Sequence, residues 1–139
     1  MITQTLCNVF KLNLLEGLED FNPASAYTYK IALYNGFATL GADTTTYTTA
    51  NEVTGGGYTA GGEVLTKVAP SLSGSTAIVT FGNVTWNPAT FSARCALIYN
   101  STTNAAVAVL DFGATKTAGG TFTVTFPVAN ASSAIIRIS

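Results

Sequence analysis

The sequence predicts an all-β protein, a jelly-roll-like antiparallel β-sandwich of about eight strands with one short N-terminal helix. Three observations carry that expectation. From Tyr27 onward, short apolar-alternating runs recur between Gly, Pro, Asn and Ser turn signals. Threonine, β-branched and strand-favouring, is the commonest residue with 23 of 139 positions, and alanine follows with 20. Apolar residues fall at helical spacing in only one convincing stretch, near the start. The chain makes one domain, 1–139, of a size that forms a core without disulfide staples.

The N-terminal segment, 1–22, places Leu6, Phe10, Leu14 and Leu18 at four-residue spacing, with Val9 and Leu15 widening the stripe. Thr3 or Thr5 is positioned to cap the helix, and Gly17 and the Glu19–Asp20 pair fall near its end. Acids at a helix C-terminus oppose the macrodipole, so the helix is expected to stop near Leu18, and Asn22-Pro23 then breaks the chain. The stretch 27–34 alternates, with Tyr27, Tyr29, Ile31 and Leu33 on one face and Thr28, Lys30, Ala32 and Tyr34 on the other. Residues 38–63 dissolve into Gly, Thr and Asn over a length unusual for a plain loop, so function or local order of its own is expected there. Within it, Gly55-Gly56-Gly57 and Gly61-Gly62 read as a close-packed backbone path. They lack the Gly-Lys-Ser/Thr and helix of a phosphate-binding loop. Strands are expected at 63–69, 76–81, 84–86, 90–99, 105–112, 121–126 and 134–138. Turn signals at Ser73-Gly74, Asn87-Pro88, Gly119-Gly120 and Asn130 separate them.

One hairpin can be registered. Asn100 and Ala105 bracket the loop Ser101-Thr102-Thr103-Asn104, a common hairpin length. Continuing that pairing inward sets Arg94 opposite Asp111, and a cross-strand structural salt bridge is expected there.

Chemistry is sparse. Charged residues are 9% of the chain, six basic and seven acidic, for a net charge of −1. No basic excess exists to neutralise phosphates, so no nucleic-acid partner is expected. No histidine is present, which removes the commonest general base and metal ligand, and the serines have no partner to activate them. Cys7 and Cys95 read as buried, reduced small hydrophobes, pointing to synthesis and assembly in cytoplasm. Glu16, Glu19 and Asp20 read as a solvated helix end, not a calcium site. No catalytic residue, cofactor or metal ligand is assigned, and no enzymatic activity is expected. The first residues lack a basic n-region, and no apolar run approaches the ~20 residues of a membrane span, so no membrane association is expected. Among the aromatics, Tyr47, Tyr58 and Phe37 lie in or near the Gly/Thr stretch. Trp86, before Asn87-Pro88, is the candidate for stacking on a sugar ring.

The succession Tyr29-Lys30-Ile31-Ala32-Leu33-Tyr34, Tyr47-Thr48-Thr49-Ala50-Asn51-Glu52-Val53 and Gly57-Tyr58-Thr59-Ala60-Gly61-Gly62 resembles small virion structural proteins of tailed phages. Val84-Thr85-Trp86, the run from Ala93 to Asn100, the run from Ala106 to Gly113, and Phe122-Thr123-Val124-Thr125-Phe126-Pro127 continue the resemblance to Ile138. Within that group the size and β pattern are similar to capsid cement, or decoration, proteins of jelly-roll fold. The resemblance implies a protein on the outer surface of the phage head, assembled in the host cytoplasm, that ties neighbouring major capsid subunits together. It carries over no catalytic residues. The expected partners are the major capsid protein and a second copy, as a homodimer. Phe10, Leu14, Leu18, Tyr47 and Tyr58 are the candidate capsid contacts. The alternatives are a tail, fibre or baseplate component, and a carbohydrate-binding β-sandwich module using Trp86.

Overall fold

The computed structural model describes residues 1–139. In chain order the elements are β1 (Thr5–Leu6), α1 (Asn8–Leu15), β2 (Tyr29–Tyr34), β3 (Glu63–Val64), β4 (Ser71–Ser73) and β5 (Thr76–Val79). They are followed by β6 (Val84–Ala89), β7 (Ser92–Asn100), β8 (Ala105–Thr117), β9 (Gly120–Val124) and β10 (Ile136–Ile138). The sheets are antiparallel: five strands in the order β1-β8-β7-β2-β3, three in the order β10-β5-β4, and the pair β6-β9. The fold is therefore all-β with one short helix. The pairing does not divide the strands into the two four-stranded sheets of a jelly roll, so a β-sandwich is the description the strand order supports.

The helix is shorter than its apolar stripe. It begins at Cys7, whose side chain caps nothing, rather than at Thr3 or Thr5. Thr5 and Leu6 instead pair with Val109 and Ala108, because the edge of β8 offers backbone partners that outcompete another helical turn. At the other end Gly17 takes φ +72°. Leu18 N–H then reaches Asn13 C=O at 2.9 Å and Gly17 N–H reaches Leu14 C=O at 3.2 Å, the pair of bonds of a Schellman stop.

β2 and β7 run through the centre of the large sheet, and Tyr29↔Asn100 to Tyr34↔Cys95 pair without a break. Every residue of β2 except Lys30 is buried, so its alternation separates two covered faces, not a wet and a dry one. Two aromatic clusters fill the core. Phe21 stacks on Tyr29 at 4.5 Å and meets Phe10 and Phe81 edge-on. Trp86 meets Phe91 and Phe122 edge-on and lies 6.2 Å from Tyr58, with the two rings inclined at 30°. Each such pair adds about 0.5–1.5 kcal/mol beyond area burial. Cys7 and Cys95 are both buried free thiols, and burial pushes each up to about 11.

The β7–β8 hairpin has the expected loop, with Asn100 opposite Ala105 and Tyr99 opposite Ala106. A bulge between Ile98 and Tyr99 then slips the register by one, so Cys95, not Arg94, faces Asp111. Arg94 lies at a second register shift and still reaches Asp111, with Nε 3.2 Å from Oδ1. The salt bridge is present; the direct opposition expected for it is not. Asn87-Pro88, expected as a turn, instead lies inside β6, at the irregularity between Trp86↔Phe122 and Ala89↔Gly120. The turn signal at Ser73-Gly74 joins β4 to β5 as a tight hairpin, with Ser73 paired to Thr76.

Residues 38–63 have order of their own. Ala38, Leu40 and Val53 are buried, and the stretch bonds to the body of the protein through Leu40–Thr3, Ala42–Asn8, Thr45–Ala106 and Val53–Leu33 backbone pairs. The glycines are required by close approach. A Cβ on Gly62, at φ +78°, would lie 1.8 Å from Ile31 C=O, and one on Gly57, at φ +89°, 1.8 Å from Pro88 C=O.

Candidate functional site

Polar side chains converge at two buried places, and both are structural in their geometry. Glu52 is 9% exposed. Its Oε1 accepts from Tyr47 Oη at 2.6 Å, and its Oε2 accepts from Tyr58 Oη at 2.5 Å and Gly61 N–H at 2.8 Å. Tyr58 Oη also accepts from Leu33 N–H, Tyr99 Oη donates to Gly61 C=O, and Tyr47 stacks on Tyr99 at 4.8 Å. Burial and the Glu52 charge raise the Tyr47 and Tyr58 phenols above their ordinary range and push Tyr99 up to about 12. The network ties the 38–63 stretch to β2 and β7 and leaves no free donor for a ligand. Tyr47 and Tyr58, expected as partner contacts, spend their hydroxyls inside the protein.

The second place is Glu19, 8% exposed. Its Oε1 accepts from Asn100 Nδ2 at 2.7 Å and from Tyr29 Oη at 3.3 Å, while the buried Oε2 has no partner. Burial raises its carboxyl above the usual range, against the two hydrogen bonds that lower it. The reading of Glu16, Glu19 and Asp20 as one solvated cluster is thus corrected. Glu16 and Asp20 are exposed, while Glu19 turns inward because Asn100, far away in sequence, offers it a donor.

The aromatic candidate also turns inward. Trp86 is 2% exposed, enclosed by Tyr58, Phe91 and Phe122, so its ring is not available to stack on a sugar.

Exposed large apolar side chains occur along the chain, Phe37, Leu72 and Val128 among them, and three, Leu12, Leu15 and Leu18, lie on α1 or just beyond its end. Phe10, at 0% exposure, is core and not a partner contact, and Leu14 is half-buried against the core. Leu18 is exposed as expected, and so are Leu12 and Leu15, the last at 89%. Of the stripe read from sequence, Phe10 is core and Leu6, Val9 and Leu14 pack against it, while Leu15 and Leu18 face outward; the exposed Leu12 was missed. Its signal was legible: Leu12 adds an apolar residue beside the exposed Asn8 and Lys11, on the polar side of a helix that lies at the surface. Leu15 borders a groove of about 500 Å³ between α1 and β10, lined by Leu6, Phe10, Leu14 and Ile138 together with Lys11 and Arg137. This exposed aliphatic face is the candidate interaction surface. Searches against protein-family models, curated proteins and solved structures find no match to this chain.

Proposed function

We propose that this protein is a virion structural protein of the capsid cement type, binding the outer surface of a phage head and tying neighbouring major capsid subunits together. The observation that carries the reading is the exposed aliphatic surface of α1 and the turn that follows it. Leu12, Leu15 and Leu18 are left in water by a protein whose carboxylates at Glu19 and Glu52 are drawn inside. Exposed aliphatic surface of this kind is stabilised by a partner's cover. The sequence resemblance to small phage virion proteins supplies the class of partner.

The scarcity of charge fits the same role. A 9% charged chain leaves little for salt to screen over most of its surface, so most of its contact rests on shape and apolar burial. On a shell each copy makes a standard interface of roughly 1,200–2,000 Å². Repetition over the lattice then multiplies modest contacts through effective concentration. A homodimer at local two-folds of the shell is the arrangement we propose.

The test is co-sedimentation of the purified chain with heads that lack it, alongside purified tails. Saturable binding to heads is the expected result. Binding to tails alone replaces this reading with the tail, fibre or baseplate one.

A further inference from the structure

We infer that the groove between α1 and β10 is the seat of an aliphatic segment of a partner polypeptide that carries carboxylates, contributed by the major capsid protein. The inference rests on the head-binding reading for the source of that segment and deepens it by naming the segment's chemistry.

The walls are apolar. Leu6, Leu14, Leu15 and Ile138 flank the groove with Phe10 at its base, and Leu15 and Ile138 are 89% and 54% exposed. The remaining lining residues are Lys11 and Arg137, two of only six cations in the chain. Neither is in a salt bridge, because the chain's single one joins Arg94 to Asp111. Arg137 donates to the Ser132 carbonyl and Lys11 to no side chain. No carboxylate lines the groove. Two cations free of salt bridges thus border an otherwise apolar groove on a protein of net charge −1.

That charge selects the occupant. Two copies meeting groove to groove would bring Lys11 and Arg137 against their own symmetry mates, and like charges at an interface are repulsive. An acidic aliphatic segment buries the leucines and neutralises both cations. The dimer of the proposed function therefore uses another face.

The test uses the full chain, 15N-labelled, titrated with acetylated decapeptides that alternate leucine with glutamate, with glutamine or with lysine. The leucine–glutamate peptide is expected to shift the amide resonances of Leu14, Leu15, Arg137 and Ile138. It binds roughly tenfold tighter than the glutamine peptide at low salt and loses that margin at high salt. Lys11→Glu with Arg137→Glu, both at exposed positions, transfers the preference to the lysine peptide, and Leu15→Asp abolishes binding without unfolding the chain. Shifts elsewhere, no shifts, or equal binding of the three peptides overturns the inference. Co-sedimentation with heads reads the parent proposal separately. Peptide binding without head binding refutes the head and keeps the groove. Head binding that Leu15→Asp leaves intact refutes the groove and keeps the head.

Discussion

Glu19 and Asn100, 81 positions apart in the chain, share a 2.7 Å hydrogen bond in the interior. It fastens the segment after α1 to the end of β7, where Asn100 Oδ1 also accepts from Thr102 N–H to shape the hairpin loop. One carboxylate oxygen is bonded and the other, equally buried, is not. Burying a charge with half its acceptor capacity unused is costly, so the folded protein favours the neutral acid.

The pH dependence of stability follows. A carboxyl raised by folding contributes stability that is fully present below its unfolded pKa, near ~4.3, and is lost as pH rises through the higher folded value. No histidine titrates in that window to mask the effect. Thermal unfolding from pH 4 to pH 8 should show wild-type Tm falling with pH. Glu19→Gln, neutral throughout, should give a flatter profile. Parallel profiles would mean that Glu19 is not the group responsible.

The glycines held at positive φ divide by what surrounds them. Gly62→Ala places a Cβ against the Ile31 carbonyl at a positive φ, and a loss of more than about 3 kcal/mol is expected. Gly74→Ala, at φ +62° in open space, should cost only the ~1–2 kcal/mol of a left-handed residue. Urea unfolding of the two variants checks the ordering.

Trp86 is the sole tryptophan, so its fluorescence reads its surroundings directly. Emission should be blue-shifted and resist quenching by acrylamide. Trp86→Ala should cost about 3–5 kcal/mol, as large-to-small core changes do. Trp86→Phe should cost less, since Trp86 Nε1–H has no partner to lose.

The Arg94–Asp111 pair is partly solvated, with side chains 29% and 25% exposed. A double-mutant cycle to alanine should give a coupling of about 0.2–1 kcal/mol that shrinks in salt. Asp111→Ala alone should cost more than Arg94→Ala, because Asp111 Oδ1 also accepts from Gly113 N–H at 2.9 Å.

The β class, the helix, the β7–β8 loop and the salt bridge were legible because each rests on local periodicity or on a turn of fixed length. The rest depends on distant partners. β1 and β4 are two and three residues long, too short to show alternation. The bulge at Ile98–Tyr99 leaves no mark in composition, so the register of Arg94 was off by one although its partner was right. The order of 38–63 comes from backbone bonds to Thr3, Asn8 and Ala106, none of them predictable from the stretch itself. At the candidate site the apolar stripe was visible, but periodicity does not say which side of a helix meets the core. Phe10 was therefore assigned outward and Leu15 only to the stripe's margin.

Attachment to the head is read most directly by cryo-electron microscopy of the virion with this protein's density located. Density is expected on the outer surface of the head, bridging neighbouring capsid subunits, with Leu12, Leu15 and Leu18 turned toward the shell. Density confined to the tail, or α1 facing away from the capsid into solvent, would contradict it.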